Sequence, residues 1–194
     1  MSHVQAYQTV KQELYFGDQT RLIDFSPKVN AVNVPSQVRM VPRIVLNRIY
    51  PLITVTRVDY RLQCQQLLVD SETDGLRVNP SGIVVLRQTD SNRAMSYEAV
   101  VAGIPEQAAA EGEIVGPITF QPTGQVYESS AGHELPFNSA SGAARIVVVT
   151  GAGGEYVRAG STTQLGVGIH VLPATGAIQV NGEGFLFNRT KVAV

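Results

Sequence analysis

The sequence predicts a mainly β protein, an antiparallel β-sandwich or barrel, with a short N-terminal helix and one short internal helix. Many short segments alternate apolar and polar residues, and turn residues recur at intervals of roughly 8 to 12 residues. Helical periodicity is confined to two places. The 194 residues, 44% of them hydrophobic and 16% charged, are enough to build one packed core.

The clearest strand signal lies between residues 57 and 65, inside an apolar segment that runs from residue 38 to residue 69. Apolar and polar residues alternate there, as in a strand with one buried and one solvated face. The apolar set is Val58, Tyr60, Leu62 and Cys64, and the polar set is Arg57, Asp59, Arg61, Gln63 and Gln65. We expect the apolar set to face the core. Residues 44–46 and 52–56, rich in β-branched side chains, predict neighbouring strands punctuated by Pro42 and Pro51.

The N-terminal segment carries a helical pattern. Ser2 and Gln5 have the spacing of a capping box, and four apolar residues then recur at helical intervals before Gly17. These four are Val4, Tyr7, Val10 and Leu14. Residues 18–37 are irregular, which is long for a connection inside a domain. The predicted division is therefore an N-terminal helix and extended arm, residues 1–37, followed by a β-sandwich domain, residues 38–194.

Apolar runs and alternation predict further strands along the rest of the chain. They cover residues 82–87, 94–101, 114–120, 145–150, 164–171, 177–180 and 184–187. The strand at 164–171 is predicted as one element because Leu165, Val167, Ile169 and Val171 occupy alternate positions. An internal helix of about two turns is predicted from Pro105, at a first helical position, to Gly112.

Composition argues against several classes of function. The formal net charge is −1 and the basic residues are scattered along the sequence, so we expect no direct readout of nucleic acid. No apolar leader and no run of about 18 apolar residues occur, so we expect a soluble protein, without a membrane span, that is made in the cytoplasm. The one cysteine, Cys64, excludes an internal disulfide and is predicted to be buried and unreactive.

One segment imitates a dinucleotide-binding motif. The apolar strand at 145–150 precedes Gly151, Gly153 and Gly154, like the first strand and glycine turn of dinucleotide-binding dehydrogenases. Val157 occupies the third glycine position, and only about 40 residues follow, too few for the rest of a nucleotide-binding sheet. We interpret the glycines as a hairpin turn and expect no cofactor.

Residues 172–176 match the sortase recognition pentapeptide of cell-wall proteins. The match is Leu172-Pro173-Ala174-Thr175-Gly176. That signal requires a following apolar span and a basic tail, whereas a polar segment follows here from Gln179 to Gly184. We therefore expect no sorting.

Residues 70–75 imitate a calcium-binding loop. Asp70, Glu72 and Asp74 provide oxygen donors at alternate positions, and Gly75 occupies the sixth position. The twelfth position, which should hold a bidentate glutamate, is Ser81. We interpret the segment as a solvated turn without a metal.

Residues typical of catalysis are dispersed. His3, His133 and His170 are widely separated, and no zinc-protease or nucleophile-elbow spacing occurs. The serines nearest to His133 in the sequence are Ser129, Ser130 and Ser139, which a serine-rich loop explains. We predict a protein that is not an enzyme and has no catalytic, cofactor-binding or metal-binding residues.

The chain as a whole resembles a small β-rich structural protein of a virus particle, especially a bacteriophage capsid or tail component. The resemblance is carried by the N-terminal helix and proline-containing arm, the many alternating strands, the small-residue loop at 139–144 and the strand-like C-terminus. It implies a jelly-roll-like barrel and assembly with copies of itself and with other virion structural proteins. It also implies synthesis in the host cytoplasm and a place in the virion. Neighbouring subunits would cover sheet edges that are liabilities in a monomer.

Two other classes stay open at this point. Residues 118–124 and 169–176 resemble β-domain signatures of minor pilins and pseudopilins, but residues 1–37 depart from the long apolar helix that begins those families. A ligand-binding β-sandwich module is the third class. It would need exposed aromatic side chains, and the chain has no tryptophan.

Overall fold

The computed structural model describes residues 12–27, 29–33, 36–43, 52–60, 62–66, 76, 79–102, 116–129, 132–140, 142–174 and 176–191. Within these ranges the chain forms nineteen strands, β1 to β19, and no α-helix. Every strand pair is antiparallel, so the mainly β class is confirmed. The predicted internal helix, residues 105–112, lies outside the described residues.

Nine strands form sheet I. They are β1 (Gln12–Asp18), β2 (Arg21–Asp24), β3 (Val29–Asn33), β6 (Leu62–Gln66), β7 (Ser81–Gln88), β8 (Arg93–Ala102), β9 (Gly116–Pro122), β10 (Tyr127–Ser129) and β19 (Thr190–Lys191). Seven of them follow the order β2-β1-β7-β8-β9-β6-β3, while β10 pairs with β8 and β19. A separate two-stranded ribbon is made by β4 (Ser36–Arg43) and β5 (Leu52–Tyr60).

Sheet I is strongly curved. Strands β1 and β9 are three strand spacings apart in the sheet order, which is about 14 Å in a flat sheet. Yet the ring of Phe16 on β1 lies 5.2 Å from the ring of Phe120 on β9, and Phe25 contacts the same ring edge-on at 5.5 Å. The sheet therefore curls around its own apolar face. The fully buried side chains there include Leu14, Leu62 and others of the first core cluster.

The remaining strands form two four-stranded sheets. Sheet II contains β11 (Gly132–Glu134), β13 (Arg145–Val149), β16 (Gly168–Leu172) and β18 (Gly184–Asn188), in the order β11-β18-β13-β16. Sheet III contains β12 (Phe137–Ser139), β14 (Gly154–Arg158), β15 (Ser161–Leu165) and β17 (Ile178–Asn181), in the order β12-β17-β14-β15. Apart from the β14–β15 hairpin, each connection from β11 to β18 crosses from one sheet to the other.

Sheet II is the middle of three layers. On one side, Val148 and Phe185 pack in a cluster with Tyr15 and Val85 of sheet I. On the other side, Val147 packs in a cluster with side chains of sheet III. Strand β13 is consequently buried at all five positions. This explains why its sequence is a continuous apolar run instead of an alternating one.

The predicted N-terminal helix is wrong over residues 12–16, which belong to strand β1. Alternate residues of β1 enter different cores: Leu14 and Phe16 join the curved face of sheet I, and Tyr15 joins the interface with sheet II. Side chains that alternate between two opposite faces are the property of a strand. Residues 1–11 lie outside the described residues, so the helix stays a prediction there.

Part of the predicted arm is packed into the domain. Strands β1 and β2 pair within sheet I, and Ile23 and Phe25 are fully buried. The domain boundary at residue 37 stays a prediction. An arm that extends from the domain at the N-terminus can only involve residues before β1.

Two local predictions near the C-terminus are corrected. The single strand predicted at 164–171 is interrupted after Leu165, because the chain leaves sheet III there and enters sheet II at Gly168. A Cβ atom at Gly168 would lie 2.4 Å from the carbonyl oxygen of Asp18, so the crossing passes tightly against the β1–β2 turn. The glycine turn at 151–153 likewise joins β13 of sheet II to β14 of sheet III and is not a hairpin.

Several strand predictions are confirmed. The described parts of residues 82–87, 94–101, 114–120, 145–150, 177–180 and 184–187 lie in or next to β7, β8, β9, β13, β17 and β18. In the alternating segment, Leu62 is fully buried and Gln63 is exposed, as predicted. The facing of Val58, Tyr60, Arg57 and Asp59 stays a prediction. The burial of Cys64, whose Cα pairs with those of Val32 and Ile118, stays one too.

Candidate assembly interface

Strands β3 to β6 form one long hairpin, which we call the hairpin arm. Strand β3 pairs with β6, and β4 pairs with β5. The register is continuous: Asn33 lies opposite Gln63, and Ser36 lies opposite Tyr60, so the two numbers add to the same value in both pairs. The register shifts by one residue only near Val29 and between Arg39 and Met40. The four strands are thus two halves of a single antiparallel hairpin.

The base of the hairpin arm is fixed in sheet I. Strand β6 pairs with β9 from Leu62, opposite Phe120, to Gln66, opposite Gly116. Leu62 and Phe120 are fully buried in the core of the curved sheet. The anchor therefore combines backbone pairing with apolar burial.

The distal part of the hairpin arm, β4 and β5, is paired outside sheet I. The described pairing of β9 with β6 ends at Leu62, and β4 and β5 form a sheet of their own. Eight residues of β4 span about 27 Å at the usual rise of a strand. We call this part, residues 36–60, the distal ribbon. Among the described strands, β4 and β5 pair only with each other, so each has one edge that no described strand pairs.

A two-stranded ribbon is marginal on its own in water, because it lacks a third strand or a packing surface. The distal ribbon is nevertheless rich in apolar residues: 13 of its 25 residues are hydrophobic, against 44% in the whole chain. Its register places Val38 opposite Val58 and Pro42 opposite Ile53. This composition suits a ribbon that gains stability by packing on a partner.

The distal ribbon is also the basic part of the chain. It contains four arginines and one aspartate, a formal charge of +3, which leaves −4 for the rest of a chain of net charge −1. Pairing sets Arg39 directly opposite Arg57, next to the register shift. Like charges directly opposite each other destabilise an antiparallel pair. An acidic surface, such as that of another copy, would relieve this repulsion.

Sequence reasoning missed the hairpin arm. It identified the apolar strands but not the pairing that joins them, and it sought an arm at the N-terminus. One signal in the sequence could have predicted the hairpin. The two strand-like segments on either side of residues 44–51 have similar lengths, and prolines at positions 42 and 51 lie near the connection between them. Alternation cannot distinguish a strand that packs on its own domain from one that packs on a partner.

A charged cluster joins sheet I to sheet II. Arg87 Nη1 of β7 lies 3.3 Å from Glu13 Oε2 of β1, and its Nη2 pairs with Glu134 of β11. The same guanidinium lies 4.6 Å from the centre of the Phe185 ring. Burial, followed by the negative charges of Glu13 and Asp24, raises the pKa of Tyr15 in this cluster. Its phenol is neutral at physiological pH.

The motif-like segments do not converge on a site. His133 is exposed on β11 and stacks on Phe137, while His170 is buried on β16 with its Nε2 2.8 Å from the carbonyl oxygen of Gly166. The Ser139 hydroxyl accepts a hydrogen bond from Arg145 Nη2. Ser130, His3 and the calcium-like turn at 70–75 lie outside the described residues. Among the described residues, no group of three or more metal-ligating side chains occurs.

The other two motifs lie in connections. The glycine turn is followed by strand β14, whereas a dinucleotide-binding turn opens a helix. In the sortase-like pentapeptide, Pro173, Ala174 and Gly176 are exposed between β16 and β17, and Thr175 lies outside the described residues. No helix within the described ranges is long and apolar enough to cross a membrane.

A shallow depression of about 420 Å³ lies on sheet III. Its polar lining consists mainly of Asn138, Ser139 and Gln179, and Val157 and Ile178 contribute apolar surface. The Ser139 hydroxyl is already engaged by Arg145. The depression is therefore a weaker candidate for a functional site than the hairpin arm.

Comparisons with known proteins give likenesses to solved structures of bacteriophage proteins. No protein-family model and no curated protein matches the chain. One similar structure is the SPP1 Dit (gp 19.1) protein, described as a paradigm of the hub adsorption apparatus in phages that infect Gram-positive bacteria. It shares 10% identity at a TM-score of 0.41, over 93% of this chain and 99% of that one. Another is the phage p2 baseplate in its activated conformation with Sr, with 5% identity and a TM-score of 0.39 over 92% and 98%.

Proposed function

We propose that this chain is a non-enzymatic structural subunit of a bacteriophage particle, a capsid or tail component, that assembles with copies of itself and with other virion proteins. The observation that carries the proposal is the hairpin arm. Its base is built into the core of sheet I, and its distal ribbon, which is paired outside that sheet, has an apolar and basic composition. Such an element is poorly stabilised in an isolated subunit and well suited to a contact between subunits.

The strand order of residues 132–188 supports the proposal. If the eight strands from β11 to β18 are counted from one to eight, sheet II has the order 1-8-3-6 and sheet III the order 2-7-4-5. This is the order in which a jelly roll winds, with two Greek keys in two packed sheets, and viral coat proteins are among its users. A fold by itself does not define a function, so this order adds to the arm and does not replace it.

Light scattering after size-exclusion chromatography, followed by electron microscopy of the same fractions, tests the proposal. A structural subunit should give a closed assembly of defined mass that grows with protein concentration. Rings favour a tail component, and shells or lattices favour a capsid component. A monomer at every attainable concentration, alone and with the other particle proteins, would remove the support for this function.

The depression on sheet III gives the ligand-binding alternative a concrete form. A module of that kind should be stabilised by a ligand that binds the native state alone, so its melting temperature should rise with ligand concentration. A panel of sugars and oligosaccharides is a suitable probe, because Asn138 and Gln179 offer amide groups beside the mainly apolar lining of the depression. A shift that disappears in Gln179→Ala would favour this function over assembly.

A further inference from the structure

Among the described strands, β15 is an edge of the sandwich that no second strand pairs. It lies at the end of sheet III and pairs with β14 over five consecutive residues without a register shift. Ser161, Thr162, Thr163 and Gln164 are all exposed. Edge strands are usually blunted by lysine, proline, a bulge or very short length, because their free backbone groups recruit other strands. The sequence of β15 has none of these features.

The other edge strands of the sandwich are either very short or in contact with sheet I. Strands β11 and β12 are only three residues long. Strand β16 contacts β1 and β2 of sheet I, and Gly168 at its start lies against the β1–β2 turn. Within the described residues, β15 is thus the one edge of the sandwich with both length and exposure.

The β14–β15 turn determines which backbone groups of the edge are free. Ala159 and Gly160 both have positive φ, 49° and 78°, as in the two-residue turn that favours hairpins. The pair that closes such a turn, Arg158 and Ser161, is hydrogen-bonded, and hydrogen-bonded and non-hydrogen-bonded pairs then alternate. Thr162 and Gln164 fall in the non-hydrogen-bonded pairs. Their N–H and C=O groups therefore point away from β14.

We propose that β15 pairs antiparallel with β15 of a second copy across a two-fold axis at Thr163. In that register Thr162 lies opposite Gln164 of the second copy, and each pair exchanges two hydrogen bonds. Thr163 meets its own counterpart in a non-hydrogen-bonded pair, where side chains are closest and paired threonines are favourable. The strand carries no charge, so this contact brings no like charges together. The two copies of sheet III then form one continuous eight-stranded sheet.

The pairing is weak in isolation and is distinct from the hairpin arm. Five paired residues cover much less than the roughly 800 Å² per partner of a standard interface. The contact gains effective affinity when subunits are already held together, because the second binding event becomes intramolecular. In this respect it rests on the proposed assembly, although its residues and its test are separate.

Disulfide trapping of the full-length protein tests the register. Thr163→Cys should form a disulfide dimer on mild oxidation, because the Cα atoms of a non-hydrogen-bonded pair are about 4.5 Å apart, within the range of a disulfide. Gln179→Cys is the matched control, since Gln179 is exposed on the central strand β17 of the same sheet. Peptide mapping should find position 163 joined to position 163. Equal trapping of both variants, or none at position 163, would overturn the proposal.

Amide hydrogen exchange provides a readout that does not depend on cysteine. On raising the protein concentration, the amides of Thr162 and Gln164 should become protected, while that of Thr163 is protected by β14 throughout. Thr163→Lys places like charges opposite each other and should weaken the pairing about fivefold, and an equal mixture with Thr163→Glu should restore it. If light scattering shows assembly while both amides exchange freely at every concentration, edge pairing is wrong and the arm-mediated function stands. If the edge pairs but no larger assembly forms, the proposed function fails and this inference stands.

Discussion

At the scale of single residues, Leu62 joins the hairpin arm to the core. Its side chain is fully buried, and its strand partner Phe120 contacts both Phe16 and Phe25. Leu62→Ala should lower the free energy of unfolding by about 2 to 5 kcal/mol, the usual cost of a cavity. Gln63→Ala, at the exposed neighbouring position, should change it by less than about 0.5 kcal/mol. Chemical denaturation of both variants checks the facing of this strand, and equal losses would contradict it.

Tyr15 makes stability depend on alkaline pH. Burial, with Glu13 and Asp24 nearby, raises the pKa of its phenol above the ordinary value of about 10. Above about pH 10 the unfolded chain releases this proton while the folded protein retains it, so the stability contributed by Tyr15 is present below pH 10 and is lost as pH rises. Tyr15→Phe has no such proton. The difference in unfolding free energy between the wild type and this variant should fall as pH rises above about 10, and a constant difference would refute the assignment.

At the scale of elements, β13 is the central strand of a three-layer molecule. Val148 packs toward sheet I and Val147 toward sheet III, and both are fully buried. Val147→Ala and Val148→Ala should each cost about 2 kcal/mol, because each leaves a cavity in a separate core. Thr162→Ala on the exposed edge is the control and should cost little. If one of the two valine variants is neutral, the sandwich has a free face and the third layer is wrong.

Strands β1 and β2 are elements of the core. Removal of residues 1–25 eliminates both strands and four fully buried side chains, Leu14, Phe16, Ile23 and Phe25. We expect the shortened protein to lose its cooperative unfolding transition. Removal of residues 1–10 leaves both strands intact and should preserve the transition. A cooperative transition after the longer deletion would show that the first two strands form a dispensable arm.

The sequence allowed prediction of most strands but not of how they are layered. Alternation and apolar runs predicted β7, β8, β13 and β18, because the pattern of buried residues along a strand is visible in the local sequence. The interruption after Leu165 was not predictable, because Val167 continues the apolar period although the chain is changing sheets. The helical spacing that ends at Leu14 was misleading for a related reason: β1 is buried on both faces, so its period of two is hidden.

The sequence predicted an arm that contacts a partner, but it did not predict which residues form the candidate interface. An arm suited to a partner was expected, and the apolar strands of residues 38–66 were recognised as strands. Their role depends on the register that joins β3 to β6 and on the end of the β9 pairing at Leu62, both of which involve residues far apart in the sequence. The open edge at β15 likewise follows from sheet order, which local patterns do not contain.

At the scale of the whole molecule, the distal ribbon and the rest of the chain carry opposite net charges. The distal ribbon carries +3 and the rest of the chain −4. If the ribbon of one copy packs on the body of another, assembly should weaken as salt is raised from about 0.05 to 0.5 M, because screening reduces the attraction between exposed charges. Arg39→Gln combined with Arg57→Gln should flatten this salt dependence. Light scattering across the salt series is the measurement, and assembly that strengthens steadily with salt would indicate that the contact is not electrostatic.

The central claim is that the hairpin arm links subunits, and replacing the distal ribbon tests it most directly. An Asn-Gly turn in place of residues 36–60 keeps the register of β3 with β6. The comparison is of assembly mass by light scattering and of cooperative unfolding, for the wild type and the ribbon-replaced protein. We predict that the replaced protein unfolds cooperatively but stays monomeric at concentrations at which the wild type assembles. Equal masses for the two proteins would contradict the account.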